Sequence, residues 1–424
     1  MGAKPDYSCF GLAAFEPVAL RYPIKKWAAA AALASGVFYL ILSGGGWSAR
    51  RAFIMAAIMF AAILVDRRAL SLRNVAVAAI IILLTTPEAL FSPGFQMSFA
   101  AVTALIAAYE WMGARADPDR HFSLFALIKR YAAGLAITDV IAALATAPYA
   151  LFHFNRVALY SLPANIAAMP IMGFFVVPFA ILALVLTPLG LDAWAWRAAA
   201  WWMERILDIA GWVAGLQGAV SVTAQWPLSA MLALSAGGLW LCLSRAPWRL
   251  AGLAAIPVAA LFVAGARPPV LFVSPTGLNA GVIAGKGEGA PALFVHSRRR
   301  ERFAASLWEE AAGLDPEKAR PERMTEILAC DEGGCQGAVE DRSAVIAAFT
   351  QDKISLAEDC GRADLVVAFF PASPEDWRAC KAYLIDRRSV WRRGAHAVWT
   401  SRNGDLVVKT ANEIRGDRPW TRGG

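Results

Sequence analysis

Histidine is scarce in this sequence, with four in 424 residues: His121, His153, His296 and His396. None of them belongs to an H-x-H-x-D-H cluster, the kind of ligand set with which a metal activates water for hydrolysis. The sequence also has no nucleophile beside a base and no Gly-rich loop ending in Lys-Ser/Thr. These absences predict a chain that is not an enzyme, holds no metal or other cofactor and does not itself hydrolyse nucleotides.

Charged residues are also few, at 17% against 58% hydrophobic residues, and the mean hydropathy is +0.47. Long apolar runs place the chain among multi-spanning membrane proteins. The runs end near residue 266, and the remainder has the mixed composition of a soluble domain. We therefore expect an irregular lead-in (1–22, not a signal peptide), a polytopic α-helical membrane domain (23–266) and a small α+β soluble domain (267–424).

Nine segments of the membrane domain are candidate spans. They are 27–42, 52–65, 74–84 (continuing to a break at Pro93), 95–112, 131–152, 164–186, 194–218, 228–243 and 250–263. Segment 194–218 is amphipathic, with four charged residues among five tryptophans, so it either crosses with its charges turned inward or lies in the interface.

Loop charge predicts the orientation. If the loop at 66–73 is cytoplasmic, the loop at 113–130 is cytoplasmic too. If segment 194–218 also crosses, the basic turn at 244–249 is cytoplasmic and the tail after residue 267 lies outside, in the periplasm. If it lies flat, the last basic turn and the tail change sides. We favour the crossing arrangement because it satisfies the positive-inside rule at three loops. The net charge of +8 suits such loops and is weak evidence for nucleic acid.

Residues 90–102 form the break around which the membrane domain is organised. Pro93 lacks an amide proton and Gly94 tolerates open backbone angles, so one apolar run ends there. Gln96 and Ser98 follow in the first turn of the next run. Polar groups in a bilayer cost free energy unless they meet partners or water. Gln96 and Ser98 therefore either bond to backbone and neighbouring helices or line a path through the membrane.

Four further polar residues are path candidates. Asp139 is centred in an apolar run, where a carboxylate is either functional or paired, for example with Arg156. Asn155, Arg156 and Asn165 bracket a turn, and broken helices in a bilayer are tolerated only where they are buried or line water. Both a functional and a structural role fit them.

Arg50 and Arg51 stand at the start of the second span. They could contact phosphates, but anchoring a helix end at lipid headgroups is the more common role of such residues.

The tail changes to short apolar runs between Gly, Pro and Asp, which predict strands at 270–273, 292–295, 344–347, 365–368 and 406–408 and a helix at 303–312. It contains four of the six cysteines. The simplest pairing is Cys330 with Cys335 and Cys360 with Cys380, as expected of an exported domain; free thiols or a metal site are the alternatives. The basic run 298–302 is a phosphate-binding candidate, although a solvated surface is more common.

Two pairs of motifs resemble the central membrane domain of the ComEC competence family. The first is GFQMSFAA (94–101) preceded by SARRAFIM (48–55), and the second is APYALF (147–152) followed by LPANIAAMP (162–170). The resemblance implies an inner-membrane channel that passes transforming DNA, as a single strand, into the cytoplasm. Relatives carry more chain upstream, so we expect an N-terminally shortened member. The tail then occupies the place of a metallo-β-lactamase-like domain, here degenerate because the metal ligands are missing.

The resemblance also implies the partners: single-stranded DNA, the lipid bilayer, a cytoplasmic DNA-translocating motor, periplasmic DNA-binding competence proteins and further copies of the chain. The path would guide DNA passively, with the motor supplying the driving force. The alternative is a small-molecule or lipid-precursor transporter that uses the same broken helices. A membrane-bound enzyme is the third possibility, and the absence of a catalytic cluster argues against it.

Overall fold

The computed structural model describes residues 23–113, 124–285, 291–314, 321–339, 345–401 and 405–416. The predicted lead-in lies outside these residues. The chain forms two compact units. The first contains the described residues up to His153, together with Ala158–Val220 and Met231–Ala259. The second contains Phe154–Val157, Ser221–Ala230 and the described residues from Ala260 onward.

Each predicted span contains a helix. The helices are α1 (Ile24–Leu42), α2 (Trp47–Leu64), α3 (Leu72–Thr85), α4 (Pro93–Gly113), α5 (Leu124–Phe154), α6 (Ser161–Ile171), α7 (Val177–Leu186), α8 (Ala193–Ala214), α9 (Leu228–Leu243) and α10 (Ala255–Gly265). Two short strands, β1 (Arg156–Ala158) and β2 (Val220–Val222), pair with each other.

Five stretches of the described chain are long and apolar enough to cross a membrane: Ile24–Leu42, Trp47–Leu64, Lys129–Phe154, Ser161–Leu189 and Pro247–Gly265. Helices α3 and α9 are apolar but shorter. Large apolar side chains along these helices, such as Phe38, Leu84 and Leu144, are exposed. In a chain of this composition, such exposure is typical of surfaces that face lipid.

Proline determines where the helices break. The run predicted to continue to Pro93 ends at Thr85, because Pro87 starts a 3-10 segment (Pro87–Phe91). The Ser92 hydroxyl then accepts a hydrogen bond from the amide of Phe95 at 3.2 Å, which caps α4. The single span predicted over 164–186 is interrupted by a π-helical turn, Met172–Val176, between α6 and α7.

The second unit contains two sheets. The strands are β3 (Leu271–Val273), β4 (Ala280–Gly285), β5 (Pro291–Val295), β6 (Glu322–Arg323), β7 (Ala329–Cys330), β8 (Gly334–Ala338), β9 (Ile346–Thr350), β10 (Leu365–Ala368), β11 (Tyr383–Asp386), β12 (His396–Thr400) and β13 (Leu406–Thr410). The six-stranded sheet has the order β13-β12-β3-β4-β5-β6 and the five-stranded sheet has the order β11-β10-β9-β8-β7. The strand predicted at 344–347 begins at Ile346 and runs on to Thr350; residue 344 is outside the described part.

Five helices accompany the sheets: α11 (Arg302–Ala312), α12 (Lys353–Arg362), α13 (Pro374–Ala379), α14 (Arg387–Arg393) and α15 (Ala411–Arg415). The main core joins side chains of both sheets, among them Leu271 and Phe294 from one and Phe349 and Ile385 from the other. The outer face of the six-stranded sheet packs on α11, and that of the five-stranded sheet packs on α12. The unit is therefore an α/β/β/α sandwich, which agrees with the α+β class predicted for the tail.

Both predicted disulfides are confirmed. Cys330–Cys335 links paired strands β7 and β8, with the two Cα atoms 4.0 Å apart. Cys360–Cys380 joins the end of α12 to the residue after α13, with a Cα separation of 4.7 Å. The latter bond therefore ties α12 to the segment that follows α13, beside the five-stranded sheet.

Candidate membrane path

Helix α5 carries a polar face along most of its second half. At 3.6 residues per turn, five polar side chains fall within an arc of about 100° and over about 22 Å of helix. They are Thr138, Asp139, Thr146, Tyr149 and His153. All five are partly buried, whereas Leu144 on another side of the helix is 71% exposed. We call these five residues the α5 polar face; four of them bond to side chains on three other helices.

Asp139 bonds to Asn165 near the start of α6. The Asn165 amide nitrogen donates to Asp139 Oδ1 at 2.5 Å, while Asp139 Oδ2 is buried and has no hydrogen-bond partner. A buried polar atom without a partner costs free energy unless water or an ion reaches it. The sequence offered Arg156 as a partner for Asp139, but the structure gives it Asn165.

Gln96 also meets α5. Its side-chain nitrogen donates to the carbonyl of Leu90 at 2.9 Å, and its oxygen lies 2.8 Å from Nε2 of His153. Gln96 thus bonds to the broken backbone before α4 and to the end of α5, which are the contacts expected of its capping role; its role in a path stays a prediction. Ser98, two residues further on, is partly buried.

The chain turns back after α5 ends, because the start of α6 contacts the middle of α5. Asp139 lies about 21 Å along the helix from His153, yet Asn165, only twelve residues after His153, contacts Asp139. Asn155 makes the reversal in the left-handed region, with φ 53°, a conformation that Asn tolerates well. The start of α6 therefore lies beside the middle of α5.

Residues 155–159, which follow α5, form backbone hydrogen bonds with the residues on either side of β2. The amide of Leu159 donates to the carbonyl of Ala219, and the amide of Thr223 donates to the carbonyl of Asn155, both at 2.9 Å.

Arg50 and Arg51 take different positions. The Arg50 guanidinium lies over the ring of Trp47, 5.7 Å from its centroid. The Arg51 guanidinium lies on the backbone of Gly94, where a Cβ atom would stand 2.7 Å from Nη1 and 2.8 Å from Cζ. Arg51 Nε is buried without a partner. Glycine at position 94 therefore leaves room for a cation beside the N-terminus of α4.

Arg156 belongs to the second unit, where its guanidinium pairs with Glu310 of α11 at 2.7 Å. Next to Glu310, Glu309 is only 3% exposed, and its Oε1 has no hydrogen-bond partner. Burial, with a smaller contribution from the charge of Glu310, raises the pKa of Glu309 to about 7.

Two histidines of the tail lie at the same end of the six-stranded sheet. His396 starts β12 and His296 follows β5, and strands β3 and β4 separate them, a distance of about 14 Å. Burial lowers the pKa of both imidazoles. Two groups so far apart cannot hold one metal ion, and no cluster of three or more His, Cys, Asp or Glu is found among the described residues.

Sequence reasoning missed several partners of the α5 polar face. Tyr109 of α4 hydrogen-bonds Thr138, and Ser235 of α9 donates to the Tyr149 hydroxyl at 2.9 Å. The helical spacing of Thr138, Thr146, Tyr149 and His153 was the signal that could have revealed this face. Two cavities of the described chain lie elsewhere, at the α1–α2 turn and between α9 and residues 251–258.

Comparison with known proteins gives a consistent result. A family model described as Competence protein matches residues 8–248, which include all the motifs quoted above. ComE operon protein 3 of Bacillus subtilis (strain 168) is 30% identical over 161 residues; the match covers 38% of this chain and 19% of that relative. The aligned part is thus about a fifth of the relative's length. No solved structure matches the chain.

Proposed function

Because the chain belongs to the competence protein family, we propose that it forms part of a bacterial inner-membrane channel through which transforming DNA enters the cell as a single strand. The observation that carries the proposal is the α5 polar face, where Asp139 bonds to Asn165 of α6 and His153 lies within hydrogen-bond distance of Gln96 of α4. Polar side chains that meet between helices, next to the broken helix α6–α7, suit a hydrated path through a bilayer.

The number of membrane crossings between two segments determines whether they lie on the same side of the membrane. Residues 154–157, 221–230 and the tail belong to one compact unit, so a membrane cannot separate them. This condition holds if α6 and α7 form a single crossing and α8 forms the return crossing, so that residues 154–157 and 221–230 lie on the same side. The three basic loops favour the same arrangement. The disulfides support an oxidising compartment for the tail. We therefore place the tail in the periplasm.

The proposal gives the tail a supporting or binding role. Its α/β/β/α layers agree with a degenerate metallo-β-lactamase-like domain, and the spacing of His296 and His396 argues against a hydrolytic metal site. The chain would then guide DNA passively past uncharged groups, with Arg50 and Arg51 attracting phosphate at one mouth. The driving force would come from a cytoplasmic motor, and periplasmic DNA-binding proteins and further copies of the chain would be its other partners.

Cysteine accessibility tests the path. In a background with Cys9→Ala and Cys242→Ala, Thr146→Cys places a thiol on the α5 polar face and Leu144→Cys places one on the exposed side of the same helix. We expect a charged, membrane-impermeant thiol reagent to modify Thr146→Cys and to block transformation, because the reagent travels only through water. Leu144→Cys should remain unmodified.

The readouts are mass spectrometry of the labelled chain and transformation frequency before and after labelling. Equal labelling of the two positions, or labelling of Thr146→Cys with no loss of transformation, would refute a path along this face.

A transporter remains the second candidate because of one observation. Asp139 presents a buried, unpartnered oxygen next to a broken helix, an arrangement that transporters use for ions and small solutes. Deletion separates the two functions: loss of transformation with normal solute uptake supports the channel, and the converse supports the transporter.

A further inference from the structure

Helix α14 exposes an unusually basic surface. Its sequence, RRSVWRR, contains four arginines and a tryptophan and no acid. Ser389 and Val390 are buried against the unit, at 8% and 1% exposure, while Trp391 is 76% exposed. The four arginines are also exposed. The helix thus uses its two small residues for packing and presents the remainder to solvent.

The helix is held firmly at both ends. The buried carboxylate of Asp386 accepts hydrogen bonds from the amides of Ser389 and Ala372 at 2.8 and 2.9 Å, which fixes the N-terminus. At the other end, Asn412 donates to the carbonyl of Arg392 at 2.9 Å. Asp386 is only 1% exposed, and among the described residues its carboxylate forms no ion pair with these arginines.

Arg388, Trp391 and Arg392 share one face, because they follow the i, i+3, i+4 spacing. Neither arginine forms an ion pair with any described residue. In contrast, Arg298 pairs with Glu326 at 3.5 Å and Arg362 pairs with Glu358 at 2.6 Å. Arginines in a last turn also complement the helix dipole, which accounts for Arg392 but not for Arg388 or the exposed indole.

We propose that this face, Arg388 with Trp391 and Arg392, binds single-stranded DNA. The guanidinium groups would contact phosphates, and the indole would stack on an unpaired base. A duplex keeps its bases stacked on one another, so it offers no free ring face to Trp391. A membrane surface fits less well, because one indole and the neighbouring Ile414 give far less apolar area than an interfacial helix buries.

The choice of single-stranded DNA as the ligand rests on the proposed function, but its binding to this face can be measured without any transport across the membrane. The test uses the full chain in nanodiscs of neutral phosphatidylcholine and a fluorescein-labelled 20-nucleotide oligo-dT, with fluorescence anisotropy as the readout. Failure of the membrane path would leave this binding intact, and loss of this binding would leave thiol labelling at position 146 intact, so the two proposals fail separately.

We expect Trp391→Ala to weaken binding on the order of tenfold and Trp391→Phe to restore much of it, since phenylalanine also stacks. The double variant Arg388→Gln/Arg392→Gln should reduce the slope of log affinity against log salt by about 1.4, because each phosphate contact on a single strand contributes about 0.7. Arg362→Gln is the matched control: an exposed arginine that already has an acidic partner and should leave both quantities unchanged.

Two results would overturn the proposal. One is wild-type affinity and salt dependence in both the tryptophan and the arginine variants. The other is loss of binding to phosphatidylglycerol vesicles by these variants with oligo-dT binding unaltered, which would assign the face to the membrane.

Discussion

Glu309 shows how one residue can make stability depend on pH. Its carboxyl group is buried, so the neutral form is favoured and the pKa rises from 4.5 to about 7. The folded state then binds the proton more tightly than the unfolded state does. Stability therefore falls as pH rises from 4.5 to 7; the penalty is absent below this window and complete above it.

Glu309→Gln removes this penalty. We expect the variant to be more stable than wild type at pH 8, by up to about 3 kcal/mol, and to lose the pH dependence between 5 and 7. Thermal unfolding of the purified chain across that range is the measurement. Glu310→Gln is the control, because it breaks the ion pair with Arg156 but leaves the buried carboxyl in place, and so should keep a pH slope. An unchanged slope in Glu309→Gln would contradict the assignment.

Among the elements, the two disulfides close loops of different length. The bonded cysteines are 20 residues apart in Cys360–Cys380 and 5 apart in Cys330–Cys335. Loop-closure entropy then predicts stabilisation of about 3 and about 2 kcal/mol. The shorter bond also links strands that already pair, so its removal should lower the free energy of unfolding less.

Replacing each pair by alanine tests this ranking. Chemical denaturation should show a larger loss of unfolding free energy for Cys360→Ala/Cys380→Ala than for Cys330→Ala/Cys335→Ala. Equal losses, or the reverse order, would mean that local strain or packing outweighs the chain entropy.

Helices and strands were not equally predictable from sequence. The helices of the first unit were found because apolar runs and prolines signal their bounds locally. Strands β4 and β8 were missed because glycine and alanine dominate them, and they are strands only through pairing with neighbours. Helix α14 was missed because its apolar face is a single valine. The partner of Asp139 depends on the chain reversal at Asn155, which no local pattern specifies.

For the whole molecule, the testable property is the side of the membrane on which each segment lies. With Cys9 and Cys242 replaced by alanine, Glu375→Cys reports on the tail and Arg67→Cys reports on the turn between α2 and α3. In right-side-out membrane vesicles we expect an impermeant maleimide to label Glu375→Cys at once and Arg67→Cys only after permeabilisation. The opposite pattern would reverse the orientation and move the tail to the cytoplasm.

The strand order of the second unit also constrains its assembly. In the six-stranded sheet, β3 pairs with β12, so that Val273 lies opposite His396 near the end of the chain. Until β12 has been synthesised, one side of β3 has no neighbour, and an open strand edge is a site for aggregation. An intermediate that stops short of β12 would therefore need a chaperone, and premature stop codons at or shortly before position 396 should yield insoluble or degraded protein rather than a partly active one.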